Sequence, residues 1–242
     1  IIAVSLGLPG PVENDVLLEA PPILINAKVN IVSELGKSLN KPIFIDNDLN
    51  TAVRAESKLG IGKNTSNFCL LTISTGIGAG LVLNGKVLGG VSGEFGHCVL
   101  ERDVSKANRC SCGRLGCWGA MASGQGIDLT IKKEFNHSLT VKGLFESYES
   151  GDRKAKEIVD NIKDYNAHGI GNILNALPVD AVVLMGSIGL QQFHHIIPPL
   201  EQIGRYTINK IPNIMPTPLG DNVGLLGAYI LACEKLGEQF LE

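Results

Sequence analysis

The sequence predicts an α/β fold. Three observations predict it: short apolar runs of strand length, intervening segments with apolar residues at helical spacing, and glycine-rich turns where the two meet. Ile1-Ile2-Ala3-Val4-Ser5-Leu6-Gly7 reads as a buried strand ending at Gly7, and Leu8-Pro9-Gly10-Pro11-Val12 as a turn. Residues 27–39 place Val29, Val32, Leu35 and Leu39 at helical spacing before Pro42 ends the unit. Pro42-Ile43-Phe44-Ile45-Asp46 reads as a short strand. Asn47-Asp48-Leu49-Asn50 then opens a helix to about Leu59, with an oxygen-bearing side chain placed to cap its free N–H groups.

Phe68–Ile73 reads as a further buried strand, Ser74–Gly80 as a glycine loop, and Leu81-Val82-Leu83 as a strand running into the hairpin signal Asn84-Gly85. Helices are expected at about 123–135, 140–148, 152–176 and 191–209. Val182–Gly186 reads as a strand entering a glycine turn, and 223–237 as a closing helix.

The composition narrows the class. With 242 residues, 44% hydrophobic and 19% charged, the chain has enough apolar material for one large domain or two small ones. A net charge of −3 gives no general case for nucleic-acid binding. No apolar run is long enough to span a bilayer and no basic leader precedes the first strand, so a cytoplasmic protein without a membrane partner is expected. The six cysteines fit a reducing compartment rather than a disulfide framework. The chain opens directly on a strand without methionine, so a missing N-terminal portion is expected.

Four motifs carry chemistry. The first is His97 followed, after twelve intervening residues, by Cys110, Cys112 and Cys117. Three thiols and an imidazole are a full tetrahedral zinc set, and Gly113 and Gly116 let the chain turn back to deliver the last sulfur. Glu94 lies three residues before the histidine. A closed site of this type suggests a metal that shapes a loop and need not perform chemistry; three free cysteines on a loop and a core histidine are the alternative. The second motif is Asp46-Asn47-Asp48, at a strand end and helix start. It is either an ordinary cap or a carboxylate placed to orient or deprotonate a substrate hydroxyl.

The third motif is Ser74-Thr75-Gly76-Ile77-Gly78-Ala79-Gly80. Its glycines allow backbone N–H groups to approach phosphate oxygens, with the Thr75 hydroxyl beside them; a plain hairpin bend remains the alternative. A strand rather than a helix follows, so this is neither a dinucleotide fingerprint nor a Walker loop. The fourth is Leu184-Met185-Gly186-Ser187-Ile188-Gly189, which suits a nucleotide base or ribose, or is a simple strand-to-helix turn.

In this order the motifs resemble the ROK family, the repressor, open-reading-frame and kinase proteins. The resemblance covers nearly the whole chain: Leu6–Val12, Asp46–Ala52, Thr75–Gly80 with Asn84-Gly85-Lys86, Gly93-Glu94-Phe95-Gly96-His97, and Cys110–Gly113 ending in Gly116-Cys117. It implies a two-domain actin-like and hexokinase-like fold (ribonuclease-H-like) with a zinc loop and a sugar cleft between the domains. Residues 1–59 with 225–242 are expected as a smaller, incomplete domain, and 60–224 as the larger one.

The resemblance further implies ATP-dependent phosphorylation of a hexose, glucose or an N-acetylhexosamine, with magnesium accompanying ATP and structural zinc on His97, Cys110, Cys112 and Cys117. Asp48 is expected as the base. Asn47, Glu94, His97 and Gly10 are expected at the sugar, and Thr75, Gly76, Gly78 and Gly186 at the phosphates and nucleotide. A homodimer is expected. The alternative is the sugar-sensing module of a ROK-type transcriptional regulator, which would touch nucleic acid only through an upstream DNA-binding domain.

Three departures accompany the resemblance. The family carries a glutamate two residues after the last cysteine, where this chain has Gly119; Trp118 is a candidate to stack on a sugar ring instead. Met185 and Ser187 stand where the family favours glycine in its late turn. The family's first phosphate loop is expected upstream of Ile1, and residues 1–242 by themselves are expected to be inactive or nearly so.

Overall fold

The computed structural model describes residues 1–18, 28–88, 93–135 and 138–239. The chain forms two compact units. The first contains Ile1–Leu70, Gly80–Gly93 and Thr217–Glu242; the second contains Leu71–Ala79 and Glu94–Pro216. The boundaries expected from sequence, after 59 and before 225, both fall inside the first unit. That unit also takes in 80–93, because Gly80 lies against α-helical residues: a Cβ there would sit 3.0 Å from the Leu49 carbonyl oxygen and from Val53 Cβ.

The first unit opens with β1 (Val4–Leu8), β2 (Val12–Glu13), β3 (Val16–Leu17), α1 (Ile31–Leu39), β4 (Ile43–Asn47) and α2 (Asp48–Leu59). Strands β1 and β4 pair in parallel, from Val4 with Ile43 to Leu8 with Asn47. Asn14 and Asp15 turn the β2–β3 ribbon at φ of 48° and 66°. Asn30 caps α1 by accepting from the Ser33 N–H at 2.8 Å. Residue 27, the expected start of that helix, lies outside the described residues. Ile1 and Ile2 are 96% and 73% exposed, so the strand begins at Val4 and its first residues are not buried as expected.

The chain then forms β5 (Phe68–Ile73), β6 (Ile77–Leu83) and β7 (Lys86–Val87). The expected loop over 74–80 is shorter than predicted. Strand β6 starts at Ile77, and Gly78 and Gly80 lie inside it; at Gly80 the absence of a side chain admits α2. The second unit continues with α3 (Trp118–Ala122), α4 (Gly124–Phe135), α5 (Val141–Glu149), α6 (Arg153–Ala176), β8 (Ala181–Met185), α7 (Ser187–Gln191), α8 (Phe193–Ile196), α9 (Leu200–Ile203) and β9 (Asn213–Pro216). Helix α10 (Val223–Leu236) returns to the first unit.

Among the described residues the main sheet has the order β7-β6-β5-β8-β9, with β6 and β7 antiparallel and β8 and β9 parallel. The single helix expected over 191–209 is broken into α8 and α9. Pro198 and Pro199 lack the N–H groups that a continuous helix needs, so the chain restarts at Leu200. In the first unit α10 crosses α2 closely. A Cβ on Gly227 would lie 1.7 Å from the Thr51 carbonyl oxygen, so only glycine allows that approach. In the second unit α6 buries Ile158, Ile162, Ile170 and Ile173. No described helix is long and apolar enough to cross a membrane.

Candidate active-site elements

In the first unit the junction of β4 and α2 is built as a helix start. Asn47 Oδ1 accepts from the N–H groups of Leu49 at 2.9 Å and Asn50 at 3.3 Å, so the capping role read from sequence is filled. Its Nδ2 donates to the carbonyl of Gly10 at 3.0 Å, which ties the early turn to the helix start. Gly10 adopts φ 143°, a conformation that favours glycine. Asp48 is the first helical residue and its carboxylate is exposed; Oδ1 accepts from the Leu49 N–H at 2.9 Å. Negative charge suits this end of a helix.

A network beneath this junction was not legible beforehand. Asp46 Oδ1 accepts from the Asn47 N–H at 2.8 Å and from Asn50 Nδ2 at 3.0 Å. Its Oδ2 pairs with Arg54 at 2.8 Å, and Arg54 reaches Glu234 of α10 at 2.7 Å. Asp46 thus holds the helix start from below. The motif named the residue; the arginine partner eight positions on gave no signal.

In the second unit the four predicted metal ligands meet. The ligand atoms of His97, Cys110, Cys112 and Cys117 all lie within 4.8 Å of one another. His97 Nδ1 is 3.4 Å from Cys110 Sγ, and the Cys112 and Cys117 sulfurs are 3.7 Å apart. A tetrahedron with zinc-like bond lengths has N–S edges of about 3.6 Å and S–S edges of about 3.8 Å, so the donor set fits a closed zinc site. The Cys112 thiol is shifted down, first by the backbone N–H of Arg114, while burial pushes Cys117 up. His97 directs Nε2 away from the sulfurs, 3.6 Å from Glu94 Oε2. The carboxylate faces the outer nitrogen at ion-pair rather than hydrogen-bond distance.

The loop ends against the glycine hairpin. A Cβ on Gly96 would lie 2.0 Å from the Ile77 carbonyl oxygen, and one on Gly119 would lie 3.3 Å from the Gly96 carbonyl oxygen. The Glu94–His97 turn, the end of the cysteine loop and the start of β6 are therefore in direct backbone contact. Trp118 does not serve as a stacking surface. It is fully buried, its Nε1 donates to Asn166 Oδ1 at 2.9 Å, and its ring fills the space beside Gly169, where a Cβ would come within 2.4 Å. Asn166 was missed; its only signal was a polar residue four positions from both Ile162 and Ile170 on an apolar helix face.

The two glycine turns also meet in this unit. Ser74 Oγ and Ser187 Oγ are 3.2 Å apart, which joins the first turn just before Thr75 to the second just after Gly186. The N–H groups of Gly124 and Gln125 donate to the Ser74 and Thr75 carbonyls at 2.7 and 3.2 Å, which fixes the first turn. Thr75 and Gly76 are exposed, whereas Gly78 is buried within β6. Gly186 adopts φ 87°, and a Cβ there would meet the Ile73 carbonyl oxygen at 2.7 Å.

A sequence model described as the ROK family matches residues 1–235. The chain belongs to the ROK family. It is 27% identical to a glucokinase of Halalkalibacterium halodurans over 94% of this chain and 74% of that protein. It is 30% identical to an N-acetylmannosamine kinase of Pasteurella multocida over 87% of this chain and 71% of that protein. A xylose repressor of Bacillus subtilis is 27% identical over 94% of this chain, which spans 60% of the repressor's length. The α/β fold matches that of a ROK hexokinase from Thermus thermophilus, with a TM-score of 0.80 and 31% identity over 97% of this chain and 79% of that one.

Proposed function

We propose that this ROK chain is an ATP-dependent sugar kinase that phosphorylates a hydroxyl of a hexose, glucose or an N-acetylhexosamine. The observation that carries the reading is the β4–α2 junction, where a helix start braced by Asp46, Asn47 and Gly10 presents the exposed carboxylate of Asp48. Asp48 accepts the proton of the sugar hydroxyl as its oxygen bonds to the γ-phosphorus, and the bond from that phosphorus to the bridging oxygen breaks to release ADP. In a loose phosphoryl-transfer transition state the base chiefly positions the nucleophile, so Asp48 does not need a raised pKa.

Asn47, Gly10, Glu94 and His97 are the sugar-binding groups of this reading. Thr75, Gly76 and Gly186 take the phosphates and nucleotide, whereas Gly78, buried within β6, lies outside that set; magnesium accompanying ATP would neutralise the phosphate charge. His97, Cys110, Cys112 and Cys117 would hold zinc, which would supply structure by keeping Glu94 and His97 in place. A cytoplasmic location and a homodimer belong to the same reading.

Gly119 favours a second reading, a sugar sensor that binds without phosphorylating, because the family's glutamate is absent there. A hydrogen bond to a charged group contributes about 1.5–3 kcal/mol, enough to change sugar affinity or choice. The test is phosphorylation of glucose and N-acetylmannosamine by the protein at its natural length, with Asp48→Asn alongside. The kinase reading expects turnover in the wild type, and its loss with retained sugar binding in the variant. Turnover near wild type in Asp48→Asn would remove Asp48 from its role.

A further inference from the structure

Beside the second glycine turn lies a depression of about 250 Å³, lined by Lys142 and Phe145 of α5, Ser187, Ile188 and Gln191 of α7, and Gln192. It adjoins the Ser74–Ser187 contact and so continues from the phosphate turns. Its lining offers the aliphatic side chain of Ile188 and the carboxamides of Gln191 and Gln192, set over a Phe145 ring that is only 2% exposed, a surface that can pack against and hydrogen-bond a flat heteroaromatic base.

The Gln192 wall and the Phe145 ring beneath it are fixed by a residue outside the depression's lining. The His195 ring stacks on Phe145, with centroids 5.6 Å apart and planes inclined by 25°. Its Nδ1 is 2.9 Å from Gln192 Oε1, and its Nε2 is 3.1 Å from Glu149 Oε1. Tyr148 meets the ring edge-on at 5.7 Å. A single imidazole therefore joins α5, which carries Phe145, Tyr148 and Glu149, to Gln192 at the joint of α7 and α8.

We propose that His195 is a positioning residue for the nucleotide base, an inference that rests on the kinase reading above. His195, seated on the buried Phe145 ring, holds the Gln192 carboxamide in one arrangement before the base arrives. A wall already ordered loses less conformational freedom on binding, so the effect belongs to nucleotide affinity rather than to chemistry or sugar binding.

The experiment compares wild type, His195→Ala and His195→Phe, reading KM for ATP, KM for sugar, kcat and thermal melting. In His195→Ala, KM for ATP rises about tenfold as the Gln192 contact and its seat on Phe145 are lost, while sugar KM and kcat stay within about twofold. His195→Phe keeps the stack on Phe145 but frees Gln192 and Glu149, so its KM for ATP falls between the two. It also serves as the test if the alanine variant does not fold. An unchanged KM for ATP, or equal rises in the ATP and sugar values, would overturn the proposal. If the wild type phosphorylates no hexose, the kinase reading fails, and calorimetry with ATP alone decides the role of His195. Weaker ATP binding in the variants than in wild type upholds it; equal binding, or none in wild type, overturns it.

Discussion

Trp118 shows how far a single residue can be read from its neighbours in sequence. Its place beside the last cysteine made it a candidate for stacking on a sugar, yet the ring is turned inward onto α6. The deciding partners, Asn166 and Gly169, lie about fifty positions away, and nothing local announces them. Asn47, by contrast, was legible as a cap because the N–H groups it satisfies are two and three residues ahead. Trp118→Phe keeps most of the ring volume but removes the Nε1 donor, leaving Asn166 Oδ1 buried without that partner. An unsatisfied buried acceptor costs about 1–3 kcal/mol, so urea unfolding of the variant should show a loss of that size. A midpoint and slope equal to wild type would mean that the bond adds nothing to stability.

At the scale of elements, legibility followed the range of the forces involved. Helix α2 and strand β5 were read close to their observed limits because caps and apolar runs are local signals. The break at Pro198-Pro199 was overlooked although proline is a local signal too, and β9 was missed because its four residues become a strand only by pairing with β8. The cysteine loop divides in the same way. Asn108 stitches its early part to the body of the unit, donating to the carbonyls of Ala120 and Gly126 at 3.0 and 3.2 Å. Residues 111–114 are exposed and tied only to their immediate neighbours, through the Arg109–Leu115 bridge, the Cys110 N–H to the Arg114 carbonyl at 2.8 Å and the Arg109 guanidinium to the Gly113 carbonyl at 3.2 Å, besides the cysteines themselves. Structural zinc supplies on the order of 10 kcal/mol to such segments. Chelation should therefore open the chain to trypsin at Arg109 and Arg114 first, while α4 and α6 stay protected. Digestion patterns that do not change on chelation would count against a metal at this cluster.

The whole molecule obeys the pattern at longest range. The first unit is assembled from three chain segments and the second from two. The sheet places β8 beside β5, more than a hundred residues apart in sequence, and no single motif encodes that neighbour. The order of motifs supplied what their local patterns could not. A prediction at this scale separates the two functional readings without an activity assay. A ligand that binds only the folded state stabilises it by about 2.7 kcal/mol at a hundred times its Kd. For 242 residues the unfolding entropy is about 0.5 kcal/mol/K, so the midpoint should rise by about 5 °C. A sugar sensor and a sugar kinase both give this rise with their sugar. Only a kinase gives a further rise when a non-hydrolysable ATP analogue and magnesium are added, because only a kinase holds a nucleotide at Thr75, Gly76 and Gly186. Melting curves of the protein at its natural length, with glucose and N-acetylmannosamine each in turn and then with the analogue, supply the comparison. A sugar-induced rise that the nucleotide leaves unchanged would favour the sensor and return Gly119 to the centre of the argument, as the position where this chain gave up transfer and kept recognition.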